Sequence, residues 1–355
     1  MTLEDLGYTT SLENYRTENN LSSFEVGRVI SEHKERYIVK TISKEYEAEI
    51  IGHLRFTAQE RSDFPAVGDW VAISEYDDDK VLIHHVFPRK TIIERQAVGK
   101  HGEKQIIATN IDYGFLVQAV DRDFNINRLE RYLTICHTSH VEPIIILNKI
   151  DLIEKGTLED LEKQVKERIE NIPLISISNE TQLGIDKLRG LIEKGKTYCL
   201  LGSSGVGKSS LLNNLAGEDL MKTNLISEST NRGRHITSHR EMMVLKDGGI
   251  VIDNPGMREI GIADAEVGLE ITFERITNLS KQCKFKDCTH TVELDCAILD
   301  AIEKGEIDSN LYQNYQKMVR EREHYEATVA EKRKKDKDFG KMIKHFKKSR
   351  KSNKY

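Results

Sequence analysis

Residues Gly202-Ser203-Ser204-Gly205-Val206-Gly207-Lys208-Ser209-Ser210 follow the pattern G-x-x-x-x-G-K-[ST], and these residue types at this spacing suit the holding of a polyphosphate. Glycines let the backbone turn tightly and aim its N–H groups inward at an anion. Lys208 can then reach the β- and γ-phosphates, and the Ser209 hydroxyl is placed to bind Mg²⁺. The flanks agree. Thr197-Tyr198-Cys199-Leu200-Leu201 reads as a short buried strand, and Ser209 to Leu215 as the first turns of a helix, whose N-terminus favours an anion. An incidental glycine-rich turn does not require a strand before it and a helix after it. The stretch predicts a phosphate loop (P-loop) that holds a nucleoside triphosphate.

Asn148-Lys149-Ile150-Asp151 directly follows an apolar run, Pro143 to Leu147, which is where open α/β sheets place ligand loops. N-K-x-D is a guanine-selecting pattern: the Asp151 carboxylate can accept both the ring N–H and the exocyclic amine, and adenine offers neither in that arrangement. Ser178 precedes Gly184 and a helical stripe, in the position of a short loop that supports the base. Asn179 stands where such loops carry alanine, so only Ser178 is expected to act there. Asp253-Asn254-Pro255-Gly256 ends another apolar run. Asp253 can hold Mg²⁺ through water, and the Gly256 N–H can reach the γ-phosphate. In the loop from Asn231 to His239, Thr237 is the candidate that closes over Mg²⁺. Position 257 is methionine, and a thioether cannot orient an attacking water. That task falls to a partner or to His235 or His239, the two catalytic candidates.

The order of these motifs is unusual. N-K-x-D precedes the phosphate loop and no second copy follows residue 256, so the sheet keeps its neighbours only if the chain is circularly permuted. The segment that responds to the γ-phosphate then leads into the C-terminal region, where hydrolysis can be transmitted by an order–disorder switch.

Of five cysteines, Cys136 and Cys199 lie in apolar segments, whereas Cys283, Cys288 and Cys296 cluster around His290. Three thiolates and one imidazole within fourteen residues suit a closed, tetrahedral, structural Zn²⁺ rather than a disulfide framework. Lys281, Lys284 and Lys286 beside them can offset thiolate charge or face phosphate.

The elements that must position these groups follow from periodicity. Between Phe24 and Val86 five β-like runs separated by polar turns predict a small barrel, with an OB-type barrel leading; it can bind oligonucleotides or serve only as scaffold. Residues 1–20 are expected to fray, and residues 87–105, with Pro88, Gly99 and Gly102, read as a linker. From Ile111 to Ile252 strands alternate with helical stripes such as Ile126, Leu129, Leu133 and Cys136, which predicts a mostly parallel sheet covered on both faces. A helical run from Ser309 to Lys335 follows the cysteine cluster. The chain thus divides into an OB-like barrel plus linker (1–100), a permuted GTPase domain (101–265) and a helical zinc module with a basic tail (266–355).

Across 355 residues the net charge is −5, yet residues 331–355 hold twelve Lys and Arg against three acids, a local +9, so the other 330 carry −14. That asymmetry suits a polyanion-binding tail on an acidic body, or a solvated terminus. No apolar run approaches the ~20 residues that span a bilayer, and the acidic start Met1-Thr2-Leu3-Glu4-Asp5 lacks signal-peptide character. A cytoplasmic location without membrane association is expected.

In combination the chain resembles the circularly permuted, ribosome small-subunit-dependent GTPases of the RsgA/YjeQ type over nearly its whole length. The resemblance rests on Pro65-Ala66-Val67-Gly68-Asp69-Trp70, Asn148 to Asp151, Gly202 to Ser210, Gly233-Arg234-His235, Asp253 to Gly256 and the Cys/Cys/His/Cys set. It implies GTP hydrolysis to GDP and phosphate stimulated by the 30S subunit, contact with 16S rRNA and a role late in small-subunit maturation, by a chain expected to be monomeric. Two other readings stay open from the residues: an rRNA-binding checkpoint module in which GTP is only a regulatory ligand, and an ATPase.

Overall fold

Strand β3 (Glu45–Ile50) buries Tyr46, Ala48 and Ile50 and exposes the glutamates between them, the period-two pattern of a sheet with one wet face. The same logic shapes its neighbours in the computed structural model, which describes residues 1–33, 36–96, 104–121, 124–217, 241–253 and 265–326, with 331 and 334. Strands β1 (Glu25–His33), β2 (Arg36–Lys40), β3, β4 (Trp70–Asp77) and β5 (Lys80–Val86) pair in the order β1-β2-β3-β5-β4. Pairing of β1 with β4 then closes a five-stranded barrel in which only β3 and β5 run parallel. Closure removes open strand edges, and Val29, Tyr37, Val39, Ile73, Val81 and Ile83 fill the interior. The five strands lie where the alternating runs predict them.

Two expectations for the flanks do not hold. The first twenty residues do not fray: a short helical turn (Glu4–Leu6) and helix α1 (Thr10–Glu18) pack on the barrel, whose β3 is followed in the chain by the short helix α2 (Gly52–Thr57). Leu6 and Tyr8 are buried against Trp70 and Phe87, with the Tyr8 and Trp70 rings edge to face at 4.9 Å. Isolated apolar residues in a polar segment leave no periodic stripe, so this plug is invisible to pattern reading. Nor are residues 87–105 a plain linker. Strands β6 (Ile92–Gln96) and β7 (Lys104–Thr109) form an antiparallel hairpin anchored by buried Ile93, Ile106 and Ile107.

Buried charge joins the barrel to the domain after it. Arg28 donates to the carbonyls of Leu6 (2.6 Å), Gly68 (3.1 Å) and Asn110 (3.1 Å), tying together the N-terminal turn, a barrel loop and the segment that leads out of the hairpin. Burial pulls its pKa down to about 10, opposed by the charges of Asp112 and Asp69. Asp69, fully buried, receives both ends of the Arg89 guanidinium at 2.9 and 2.7 Å, the Thr109 hydroxyl at 2.6 Å and the Ala66 N–H at 2.8 Å. Removing one partner of such a pair strands the other charge. Asp69→Ala is therefore expected to cost about 3 kcal/mol, read as a lower urea midpoint at unchanged slope; an unchanged midpoint would refute the bracing role.

The second half of the long sheet is built for ligand loops. Strands β8 (Tyr113–Ala119), β9 (Glu142–Asn148), β10 (Leu174–Ser176), β11 (Thr197–Leu201) and β13 (Ile250–Asp253) are mutually parallel in the order β10-β9-β8-β11-β13. Strand β12 (Glu241–Val244) is antiparallel to β13 and touches β1 through Ser31 opposite Glu241. Helix α3 (Ile126–Thr138) buries its predicted stripe of Ile126, Leu129, Leu133 and Cys136 on one face of the sheet, with Val165 of α4 (Lys155–Arg168). Helices α5 (Ile185–Arg189) and α6 (Lys208–Ala216) cover the other face with Ile185, Leu188, Leu211, Leu212 and Leu215. Each such side chain contributes about 1.5–3 kcal/mol of burial, and together they hold every parallel strand end on one edge.

The C-terminal region has its own core. Helices Glu266–Thr272, Glu274–Ser280, Ala297–Glu303 and 309–326 enclose Leu269, Phe273, Ile276, Ile298, Tyr312 and Met318. The region docks on α3. Gly268 lies so close that a Cβ there would come within 2.3 Å of the Thr134 carbonyl. Arg131 and Glu321 form a paired-fork bridge at 2.8 and 2.5 Å. Buried Glu130 accepts from Arg168 at 2.6 and 3.1 Å and from the Asn314 amide. Burial pushes the Glu130 carboxyl pKa up, while the Arg168 bonds pull it back.

Candidate functional site

The carboxyl ends of the parallel strands bring together motifs that lie far apart in sequence. Strand β9 ends at Asn148, whose side-chain amide donates to the Val206 carbonyl of the phosphate loop at 2.7 Å. The two motifs are thus fastened to each other. Gly207, at φ +94, has no room for a side chain, because a Cβ would sit 2.3 Å from the Asn148 amide nitrogen. Gly202 is equally confined, against the Val117 carbonyl of β8 at 2.4 Å. Both glycines are therefore required by close approach.

Lys208, the first residue of α6, is buried and its ammonium donates to the carbonyls of Gly202 (2.6 Å) and Ser203 (2.8 Å). An ammonium has three donors, so the loop fixes two and leaves one to face an anion. Burial lowers the Lys208 pKa, and the Asp253 carboxylate raises it in part. Asp253, buried at the tip of β13, therefore lies within electrostatic reach of the loop. Ser204, Gly205, Ser209 and Ser210 are exposed, with Ser209 in the first turn of α6, open to a metal–phosphate ligand.

On the base side, Lys149 adopts a left-handed backbone, φ +66, and pairs with Asp121 just beyond β8 at 3.0 Å. Asp151 is exposed, with its Oδ1 accepting from the buried Ser178 hydroxyl, so the carboxylate is oriented and open to a ligand. Ser178 also accepts the Thr181 N–H at 3.0 Å. Sequence reasoning passed over Asn179. Its amide donates to the Gly207 carbonyl at 2.9 Å, and its own carbonyl groups receive the Asn214 amide of α6 at 3.0 and 3.2 Å. Thus the loop after β10 braces the phosphate loop as well as Asp151. The available signal was the amide side chain itself, at a position where alanine could make no such bond. Asn179→Ala is expected to weaken GTP and GDP binding about fivefold to tenfold, the worth of roughly one such bond, with the unfolding midpoint little changed. Equal affinity in a nucleotide titration would refute it. His235, Thr237, His239, Gly256 and Met257 lie outside the described residues.

The cysteine cluster assembles as the spacing predicts. The Cys283 and Cys296 sulfurs are 3.9 Å apart, and the His290 Nδ1 lies 3.4 and 3.5 Å from them. All four candidate ligand atoms, including Cys288, fall within 4.8 Å of one another. A tetrahedral Zn²⁺ with bonds of about 2.3 Å to sulfur implies S–S edges of about 3.8 Å, so the donor set fits that ion. His290 is held by the Tyr312 hydroxyl on its carbonyl at 2.6 Å.

A phosphate loop, an N-K-x-D strand end and an aspartate strand tip on one edge of a parallel sheet, in permuted chain order beside a closed five-stranded barrel, define a circularly permuted P-loop GTPase. Comparisons narrow the class. A family model described as RsgA GTPase matches residues 86–263, and one described as 50S ribosome-binding GTPase matches 197–330. The chain is 41% identical over 315 residues to small ribosomal subunit biogenesis GTPase RsgA 2 of Lactiplantibacillus plantarum, covering 89% of this chain and 88% of that one. It is 35% identical over 348 residues to RsgA 1 of Bacteroides thetaiotaomicron, covering 98% and 97%. The solved structure of YjeQ from Thermotoga maritima superimposes with a TM-score of 0.62 at 26% identity, over 84% of this chain and 98% of that one. That of YloQ, described as a circularly permuted GTPase, gives 0.61 at 25% identity, over 84% and 94%. The chain belongs to the RsgA GTPase family.

Proposed function

We propose that this chain is a GTPase of small-subunit biogenesis that binds the 30S ribosomal subunit, contacts 16S rRNA, and hydrolyses GTP to GDP and phosphate when so bound. The names of its full-length relatives support the small-subunit assignment, and the expected stage is late maturation. One observation carries the nucleotide reading: Asn148 and Asn179 fasten the base-reading loops directly to the phosphate loop.

In this reading Asp151, oriented by Ser178, accepts the two N–H groups of guanine, with Asn148 and Lys149 supporting the loop. The backbone from Gly202 to Ser210 and the free donor of Lys208 hold the phosphates, and Gly256 meets the γ-phosphate. Ser209, Thr237 and, through water, Asp253 hold Mg²⁺, which when bound neutralises charge shared by the β- and γ-phosphates. Cys283, Cys288, His290 and Cys296 hold one structural Zn²⁺. The division at residues 1–100, 101–265 and 266–355 gives the barrel, the zinc module and the basic tail as the rRNA-facing parts. The chain acts as a cytoplasmic monomer; among the described residues no helix is long and apolar enough to cross a membrane.

Met257 makes intrinsic hydrolysis slow, so a group of the subunit, or His235 or His239, aligns the attacking water. The decisive measurement is GTP turnover alone, with 30S and with 50S subunits, at two salt concentrations. Stimulation by 30S and not by 50S is expected, and equal turnover in all three would overturn the reading. The same methionine favours a second reading, a checkpoint module for which GTP is a regulatory ligand. Lys208→Ala separates the two: nucleotide-independent 30S binding by this variant would favour it.

A further inference from the structure

The base-reading turn carries an ammonium and a carboxylate two residues apart. Lys149 begins it in a left-handed backbone, and Asp151 lies within the turn Ile150–Leu152. Opposite charges so close in the chain attract each other. An ammonium seated on Asp151 would take up the acceptors that the N–H groups of guanine require. The structure pairs Lys149 elsewhere. Its Nζ lies 3.0 Å from Oδ2 of Asp121, on the connection from β8 to α3, and the two side chains are 32% and 24% exposed. Ser178 engages Oδ1 of Asp151, and the exposed carboxylate keeps its other lone pairs for a ligand. The neighbouring strand puts Asp121 within reach: β8 runs beside β9 with Ala119 opposite Asn148. The Asp121 carbonyl then accepts the Phe124 N–H at 2.9 Å, which shapes the turn into α3.

We propose that Asp121 is a positioning residue for guanine selection, a role that rests on Asp151 being the guanine acceptor. It holds the Lys149 ammonium away from Asp151 and so keeps that carboxylate open to the base. Asp121 belongs to neither N-K-x-D nor the phosphate loop. Its charge matters more than its hydrogen bond, because a neutral amide at 121 attracts the ammonium far less than Asp151 does. Loss of Asp121 therefore turns Lys149 from a support of the loop into a competitor of the base. The phosphate side is spared, since Lys208 and Asn179 make their bonds to the phosphate loop without either residue. Selectivity suffers while phosphate binding persists.

The test is titration of the full-length protein with GTP, GDP and ATP, using Asp121→Asn, Lys149→Met and the double variant. Asp121→Asn should lose about threefold to fivefold in affinity for both guanine nucleotides, the reach of an exposed ion pair. Its affinity for ATP, which does not use Asp151, should stay as in the parent. Lys149→Met should weaken GTP binding in the parent but strengthen it in the Asp121→Asn background, because the competitor is gone. A merely structural role for Asp121 produces no such reversal of sign. Weakening by Lys149→Met in both backgrounds, or a loss for ATP as large as that for GTP, overturns the proposal. Asp121→Glu keeps the charge and should retain the parent's preference for GTP; a fall as deep as that of the asparagine variant overturns it too. Asp121→Ser serves the same cycle if the asparagine variant does not fold. Lack of any preference for GTP over ATP in the parent chain would instead sink the base-site reading beneath it.

Discussion

Asp151→Asn is expected to lower GTP affinity about 100-fold, since two hydrogen bonds to a charged acceptor are worth about 3 kcal/mol together. The carboxylate accepts both N–H groups on the guanine edge, and Ser178 fixes its rotation by donating to Oδ1. An amide keeps one acceptor and presents a donor where the exocyclic amine of guanine also donates. The preference for GTP over ATP should then collapse. Xanthosine triphosphate, whose ring carries a carbonyl at that position, should bind better than GTP. The variant should fold as the parent does, because Asp151 is exposed. Competition titrations with the three nucleotides read this directly. Undiminished discrimination against ATP would remove Asp151 from the base site.

The visibility of this site in sequence has a physical basis. The phosphate loop and N-K-x-D are short because each does its work within one strand–turn–helix connection, so spacing alone exposes them. The barrel strands were legible for a similar reason: Glu45 to Ile50 alternates, and alternation is local. What escaped was long-range. Leu6 and Tyr8 are single apolar plugs whose partners Trp70 and Phe87 lie more than sixty residues on. The Arg28 and Asp69 networks span loops about forty residues apart, and no window contains both ends. The β6–β7 hairpin hid behind charged residues and two glycines in the sequence between its strands. Asn179 departs from the alanine usual in such loops, yet its amide is what reaches Gly207. Substitutions within a motif can add a bond as well as remove one.

The metal cluster carries the other large effect. Between Lys281 and Cys296 the chain forms neither helix nor strand, and its apolar residues do not hold it. Val292 and Leu294 are 85% and 84% exposed, and Phe285 is half exposed. His290 and Asp295 sit at positive φ, 58° and 60°, a conformation that costs non-glycine residues of order 1–3 kcal/mol each. Glu293 organises the turn locally by accepting from the N–H groups of Thr289 and Thr291 at 2.9 Å and of Val292 at 3.1 Å. These bonds lie on the surface and do not tie the loop to the core. The four ligands do, since Cys296 is a buried member of the helical core and His290 is bonded to Tyr312. Structural zinc in small modules is worth about 10–16 kcal/mol in apparent binding free energy. Cys283→Ser, or a strong chelator, should therefore release the metal and unfold residues 281–296 with the helices beside them. Stimulation by 30S should be lost with that module. Basal nucleotide binding should persist, because the sheet and its two covering layers contain none of the ligands. Metal analysis with amide hydrogen exchange measures both halves of the claim. A stripped chain that keeps its C-terminal protection would mean that the helical core alone shapes the module. Loss of protection spreading into β11 and α6 would instead make the metal a support for the nucleotide site itself.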